Sequence, residues 1–469
     1  MKPPIKIITL ILFSALALNL NSCSEETTLE SDPFVVAFET LSKNLAEMHA
    51  KNDTSIPLVY SEMAIENGSV NIKINAKNAI YGQDFITIPE AINQIISLPI
   101  SNGETQSAIQ FQKLTTTLDE TTEIEFLIAS IDYQHANVQG NSIFTINSSA
   151  AQGGSMLPEI GGPNQDNQVY IDLSTQSATS VKRDAWDLGF YNGANFRVAI
   201  NGSVYMAAKA LTETDIDAVT EDDVRSLKSQ VAVGTFNAEN AAYIDAPNGN
   251  IHETAIAEIS ENNDENPVYL VNLGYEIGTS TPTVGSTAVA GNTRGWKKIR
   301  ILRAGDDYML QYADLDENTH QEITISKHPD YNFNHFSFNS NALVSVEPES
   351  EKWDINFTVF TNLQDGAGSY GFSDFVLHNR KAGVTAYQVE TSDYNYDDFS
   401  ISDVNTSLFS EDQTTIGSNW RDVFERTVFS DKFYIIKDPN GNLYKLKFLA
   451  MTNSNGERGY PEFEFKLLQ

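Results

Sequence analysis

The chain carries few side chains of the reactive or metal-binding types, and their spacing excludes most of the chemistry those types can do. Its single cysteine, Cys23, ends the segment Leu20-Asn-Ser-Cys23 directly behind an apolar run. A lone cysteine in that place is a site of modification rather than of redox or metal chemistry. The seven histidines do not fall at zinc-ligand spacing. His320 and His328 flank the strand-like Glu322-Ile-Thr-Ile325, on one face but too far apart to share an ion. His335 alternates with phenylalanines and reads as packing, and His378 closes a strand-like run and reads as an edge residue. His252 follows the turn Pro247-Asn-Gly249 and reads as a solvated loop histidine, while Met206, beside Tyr205 in an apolar stretch, reads as core. Asp314-x-Asp316-x-Asn318 begins like a calcium loop, but Thr319 stands where the turn needs glycine. Gly366-x-Gly368-x-x-Gly371 spells a dinucleotide fingerprint, yet it lies between two strand-like runs with no helix after it. Gly-x-Ser-x-Gly and His-Glu-x-x-His are absent, so no enzyme is expected.

The amino terminus says where such a chain works. Lys2 and Lys6 lead into Ile7 to Leu18, an apolar run broken only by Thr9 and Ser14. That run is too short for a bilayer span and has signal-peptide length. Residues 1–22 are expected to be a leader, Cys23 the acylated residue, and residues 23–32 a polar tether that engages the membrane through its lipid alone. Without other cysteines the fold is held without disulfides. There are 30 basic against 63 acidic residues, a formal net charge of −33. Such a balance excludes a nucleic-acid binder, which needs a basic face for phosphates, and electrostatic adhesion to anionic lipid. With 41% hydrophobic and 10% aromatic residues, the mature chain is globular.

The elements that position these side chains read as mainly β. From 33 to 149, alternating runs such as Val70-x-Ile72-x-Ile74 and Ile124-x-Phe126-x-Ile128 predict an antiparallel β-sandwich, with one helix-like or distorted stretch at Phe38 to His49. Residues 150–168, rich in Gly, Pro, Asn and Gln, read as a linker. Beyond it lies an internal repeat. Tyr170-Ile-Asp-Leu leads to Trp186-Asp-Leu-Gly-Phe190, and His335-Phe-Ser-Phe leads to Trp353-Asp-Ile-Asn-Phe357. Ile301 to Tyr312 likewise parallels Ile435 to Phe448, and His320 to Ile325 parallels Tyr460 to Phe465. Two tandem all-β modules are expected, at 169–327 and 328–469, each anchored by its tryptophan. Thr220-x-x-Asp223 caps a helix expected within Thr214 to Ser229, and Asp438-Pro-Asn-Gly441 is a hairpin turn.

Two resemblances follow from these segments. Gly68 to Ile74, Tyr81 to Phe85, Gly103-Glu-Thr105 and Glu120 to Ile128 resemble the Calx-beta and immunoglobulin-like surface modules, and the module reads as a spacer. Phe336-Ser-Phe338 leading to Trp353-Asp354, the loop Gly366 to Gly371 and the hairpin Lys437-Asp-Pro-Asn-Gly-Asn442 to Phe448 are similar to the HmuY family, best in the second module. That resemblance implies surface lipoproteins of Bacteroidetes that bind haem or a related porphyrin and pass it to a TonB-dependent outer-membrane receptor. Ser24-Glu-Glu26 resembles the surface-export signal of such lipoproteins, which implies an outer-membrane, cell-surface location. The family holds haem iron through paired His or Met ligands. The corresponding interval of the second module contains none, but offers Tyr387, Tyr394 and Tyr396, and that of the first offers only His252. A tyrosinate can ligate ferric haem. The cofactor-binding candidates are therefore His252, Tyr394 and Tyr396. The rival expectation is a surface binding or adhesion lipoprotein that keeps the scaffold without haem.

Overall fold

The computed structural model describes residues 33–45, 48, 51–115, 118, 121–147 and 151–468. The expected leader 1–22, the acylation site Cys23 and the tether 23–32 lie outside the described residues. Among the described residues no helix is long and apolar enough to cross a membrane.

The first unit follows from its alternation. One five-stranded sheet runs in the order Phe85–Ile88, Gln106–Lys113, Asp53–Tyr60, Phe34–Phe38, Ala136–Val138. A second runs Ser42–Asn44, Ile143–Asn147, Glu123–Asp132, Gly68–Lys77, Ile95–Ile100. Val70, Ile72 and Ile74 point into a core shared with Phe111, Phe126 and Phe144. Each such side chain contributes about 1.5–3 kcal/mol on burial. The pairing is antiparallel except between Phe34–Phe38 and Ala136–Val138 and between Ser42–Asn44 and Ile143–Asn147, which are parallel. The stretch after Phe38 that looked helical is where the chain leaves one sheet and enters the other through Ser42–Asn44.

Residues 150–168 do more than link. Gly153–Met156 is a strand that pairs with Arg458–Leu467, the last strand of the chain. The same segment touches the sandwich: Leu41 N donates to Gly153 O at 3.0 Å and Gln152 N to Ser42 Oγ at 2.7 Å.

The two repeat copies share their sheets reciprocally. The first opening hairpin, Asn167–Asp172 with Ser177–Lys182, pairs with the second Trp-Asp strand, Ile355–Gln364. The second opening hairpin, Phe333–Ser337 with Ala342–Val344, pairs with the first Trp-Asp strand, Leu188–Tyr191. Equivalent hydrogen bonds close both exchanges. Asp187 N donates to Phe336 O and Asp354 N to Ile171 O, at 2.8 and 2.7 Å. Phe338 N donates to the Asp187 carboxylate at 2.7 Å, and Leu173 N to that of Asp354 at 2.8 Å. Asn201 Nδ2 donates to Trp186 O as Asn379 Nδ2 does to Trp353 O. Consequently Phe336 and Phe338 complete the core of the first copy, and Val169, Ile171 and Leu173 that of the second.

Each body is finished by a meander: Val268–Asn272, Trp296–Ala304, Asp307–Ala313, Gln321–Ile325 in the first, and Thr385–Glu390, Lys432–Lys437, Leu443–Thr452, Arg458–Leu467 in the second. At the hairpin before Leu443, Asp438 accepts from Asn442 N at 2.7 Å, and Gly441 supplies the positive φ of 89° that closes the turn. The expected helix within Thr214 to Ser229 shrinks to one turn, Glu221–Val224. Its Thr220–Asp223 capping box forms, but only Val224 of the turn is buried, too narrow a face to extend it.

A cavity in the seam between the copies

The hairpin exchange brings the two tryptophans together. Trp353 stands edge-on to Tyr170, ring centroids 5.0 Å apart, and Trp186 edge-on to His335 at 4.7 Å. Tyr170 and His335 are equivalent positions of the repeat, so each copy lays its opening residue on the other's indole. Trp186 and Trp353, expected to anchor separate cores, instead pack in one small cluster with Tyr170 and Val346.

Between them lies a cavity of about 160 Å³, with Ile200, Met206, Phe333 and Val359 among its walls. Gln168, Asn356, Asp245, Glu347 and Lys381 also line it. Trp186 Nε1, Trp353 Nε1, Gln168 Nε2 and Asn356 Oδ1 have no hydrogen-bond partner within the protein. Asp245 accepts from Ile200 N and Ala255 N, both at 2.9 Å, and burial pushes its carboxyl up to about 6. Glu347 accepts from Phe333 N at 2.7 Å, and burial pushes it up to about 7. Lys381 Nζ donates to Gly249 O at 3.1 Å; burial brings it down to about 8, against the pull of Glu347 and Asp245. The seam thus combines donors, acceptors and aromatic walls in a setting where polar contacts are strong.

The sequence candidates are scattered around this site rather than gathered in it. His252 is exposed in a one-turn 3-10 segment, Ile251–Glu253; its neighbour Ile251 lines the cavity and His252 does not. Tyr394 is 45% exposed and stands edge-on to Phe399. Tyr396 is buried against Phe433, with the Lys445 and Lys447 ammonium groups 4.7 and 4.4 Å from its ring centre. Burial raises its hydroxyl well above the ordinary tyrosine range, which works against the tyrosinate that iron would need. Lys445 Nζ ties the surrounding loop by donating to the carbonyls of Tyr396 and Phe399. Met206, read as core, is fully buried and lines the cavity, as His335 does too. His252, Tyr394 and Tyr396 therefore do not assemble an axial pair, and the arrangement does not fit haem held through iron by these side chains.

Two other histidines stand where the sequence placed them but with partners it did not show. His378 ends the edge strand Gly368–His378, as expected, but is only 1% exposed there, covered by the segment of Gln413, whose carbonyl accepts from His378 N at 3.1 Å. Burial lowers its imidazole to about 4. His320 is held by Asp217 at 2.9 Å and Glu322 at 3.3 Å. The residues that shape the seam escaped sequence reasoning, because Gln168, Glu347 and Lys381 sit in no motif and Asn356 lies within the Trp-Asp segment without a signal of its own. The repeat itself was their only signal, since it marked both tryptophans as equivalent.

The chain is similar in fold-scale comparison to the apo form of the Calx CBD1 domain, at 13% identity over 24% of this chain and 95% of that one, with a TM-score of 0.19. A "putative carbohydrate binding protein" from Bacteroides ovatus ATCC 8483 aligns at 9% identity over 73% of this chain and 96% of that one, with a TM-score of 0.16. No curated protein matches. The model of the family described as HmuY protein matches twice, at residues 164–303 and 306–465, one match for each copy of the repeat. Spanning well over half of the chain, those two matches show that it belongs to the HmuY family.

Proposed function

We propose that the protein is a binding protein, not an enzyme, held by a lipid on Cys23 at the outer-membrane surface, where it captures haem or a related porphyrin for a TonB-dependent receptor. Membership of the HmuY family over both copies carries this reading. Because His252, Tyr394 and Tyr396 do not form an axial pair, capture rests on contacts to the macrocycle and its carboxylates rather than on paired iron ligands.

One observation favours a second reading, in which the scaffold serves a non-haem ligand. The partnerless polar groups converge on a cavity of about 160 Å³, less than the about 300–1,000 Å³ of pockets for drug-sized molecules. The test is a titration of residues 24–469 with haemin and, separately, with iron-free protoporphyrin, followed by absorbance. A saturable Soret change with haemin, matched by saturable binding of the iron-free ring, supports porphyrin capture. A change seen only with haemin and weakened by His252→Ala assigns a single iron ligand. Featureless titrations with both leave the non-haem reading.

A further inference from the structure

The seam cavity is built by both copies and is small. The inference drawn from it rests on the non-haem reading above, since neither His252 nor either candidate tyrosine lines it. Gln168, Trp353 and Asn356 are each more than nine-tenths buried, yet Gln168 Nε2, Trp353 Nε1 and Asn356 Oδ1 bond to nothing in the protein. Trp186 Nε1 is in the same state from the other copy. Leaving such groups unsatisfied is costly, so a native site that assembles four of them is built for something that satisfies them.

The hydrogen-bonding sense narrows the occupant. Both indoles and the Gln168 amide nitrogen donate, whereas Asn356 Oδ1 and the carboxylates of Asp245 and Glu347 accept. A hydroxyl does both. The walls of Ile200, Met206, Phe333 and Val359 ask for an apolar body between the polar ends. Two carboxylates face one ammonium, Lys381, so an anion meets net repulsion, and a cation leaves the three N–H donors without acceptors. We propose that the seam between the copies binds a small uncharged ring compound carrying hydroxyl groups, which bridge the Trp186 and Trp353 indoles and the amides of Gln168 and Asn356.

The chain has four tryptophans, so the indole N–H signals of the mature chain, residues 24–469, form a small resolvable set in a nitrogen-15 NMR spectrum. Resorcinol, benzoate and toluene are each titrated to millimolar concentration. The expected result is saturable movement of the Trp186 and Trp353 signals, with Trp296 and Trp420 still, and with resorcinol binding more tightly than the other two. Trp353→Phe keeps an aromatic side chain but removes the indole donor, and weakens resorcinol roughly five-fold. If that variant fails to fold, the wild-type shifts decide alone. Tighter binding of benzoate or toluene overturns the assigned ligand class. Still Trp186 and Trp353 signals with all three probes overturn the site.

Discussion

Asp187 and Asp354 occupy the same place in the repeat and make the same hydrogen bond, yet replacing each with asparagine should have opposite effects. Both are buried. Asp187 also faces the guanidinium of Arg294, N to O 2.7 Å, with that side chain only 6% exposed. Asp187→Asn keeps the shape but leaves Arg294 buried without its counter-charge, a loss of about 3–5 kcal/mol. Asp354 has no such cation. Burial, and then the charge of Asp172, push it well above the ordinary 3.8. Its folded form therefore holds a proton that the unfolded chain releases, and the stability this gives is complete below pH 3.8 and is lost as pH rises. Asp354→Asn still accepts from Leu173 N and adds a donor beside Asp172 and Asp438. It should match the parent near pH 3.8 and be as stable or more so at pH 7. Urea melts of residues 24–469, followed by tryptophan fluorescence at both pH values, read this out. Equal losses at the two positions, or a loss under about 1 kcal/mol for Asp187→Asn, would refute the assignment.

Three further outcomes are expected. Residues 169–327 and 328–469 expressed separately should show no cooperative melt, because each lacks the hairpin that completes its core, whereas 151–468 should melt cooperatively. Tyr396→Phe should cost at most about 1 kcal/mol, since the hydroxyl's bond to Lys445 O is long at 3.4 Å, and it should leave a haemin titration unchanged. Lys381→Met removes the ammonium that lowers Glu347 and Asp245, so carbon-13 carboxyl titration should place Glu347 above its present value of about 7. The sign follows because burial then acts on both acids without that cation to offset it, and an unmoved or lower Glu347 midpoint contradicts the seam geometry.

The repeat was legible because the same backbone bonds recur in both copies, and these demand the same Trp-Asp pair at each strand start. Strand partners were not legible. Alternation along Tyr170 to Leu173 tells which face is buried, not which neighbouring strand lies beside it. The 3-10 and helical turns of 214–229 were half legible: the Thr220–Asp223 cap is local chemistry, while helix length depends on packing against Val231 and Leu270. Tyr396 stands out by residue type as a possible iron ligand, but its ring is drawn under lysines of a strand nearly fifty residues later. His378 was legible as an edge-strand residue but not as a buried one, since the segment that covers it, around Gln413, lies some way on in the chain. The HmuY likeness held because it rested on several spaced segments rather than on one residue.

The pairing of Gly153–Met156 with Arg458–Leu467 sets an order of events for a chain made amino terminus first. The sandwich from Phe34 to Asn147 holds its own partners and can fold as soon as it emerges. The exchanged hairpins must wait, the first for Ile355–Gln364 and the edge strand for the last residues of all. A topology so dominated by distant partners folds slowly, and until it closes, the strands of the first copy present open edges to any neighbouring chain. Truncation of a few carboxy-terminal residues would thus unzip a strand laid down three hundred residues earlier, and quality control at the tail would govern the whole two-copy body.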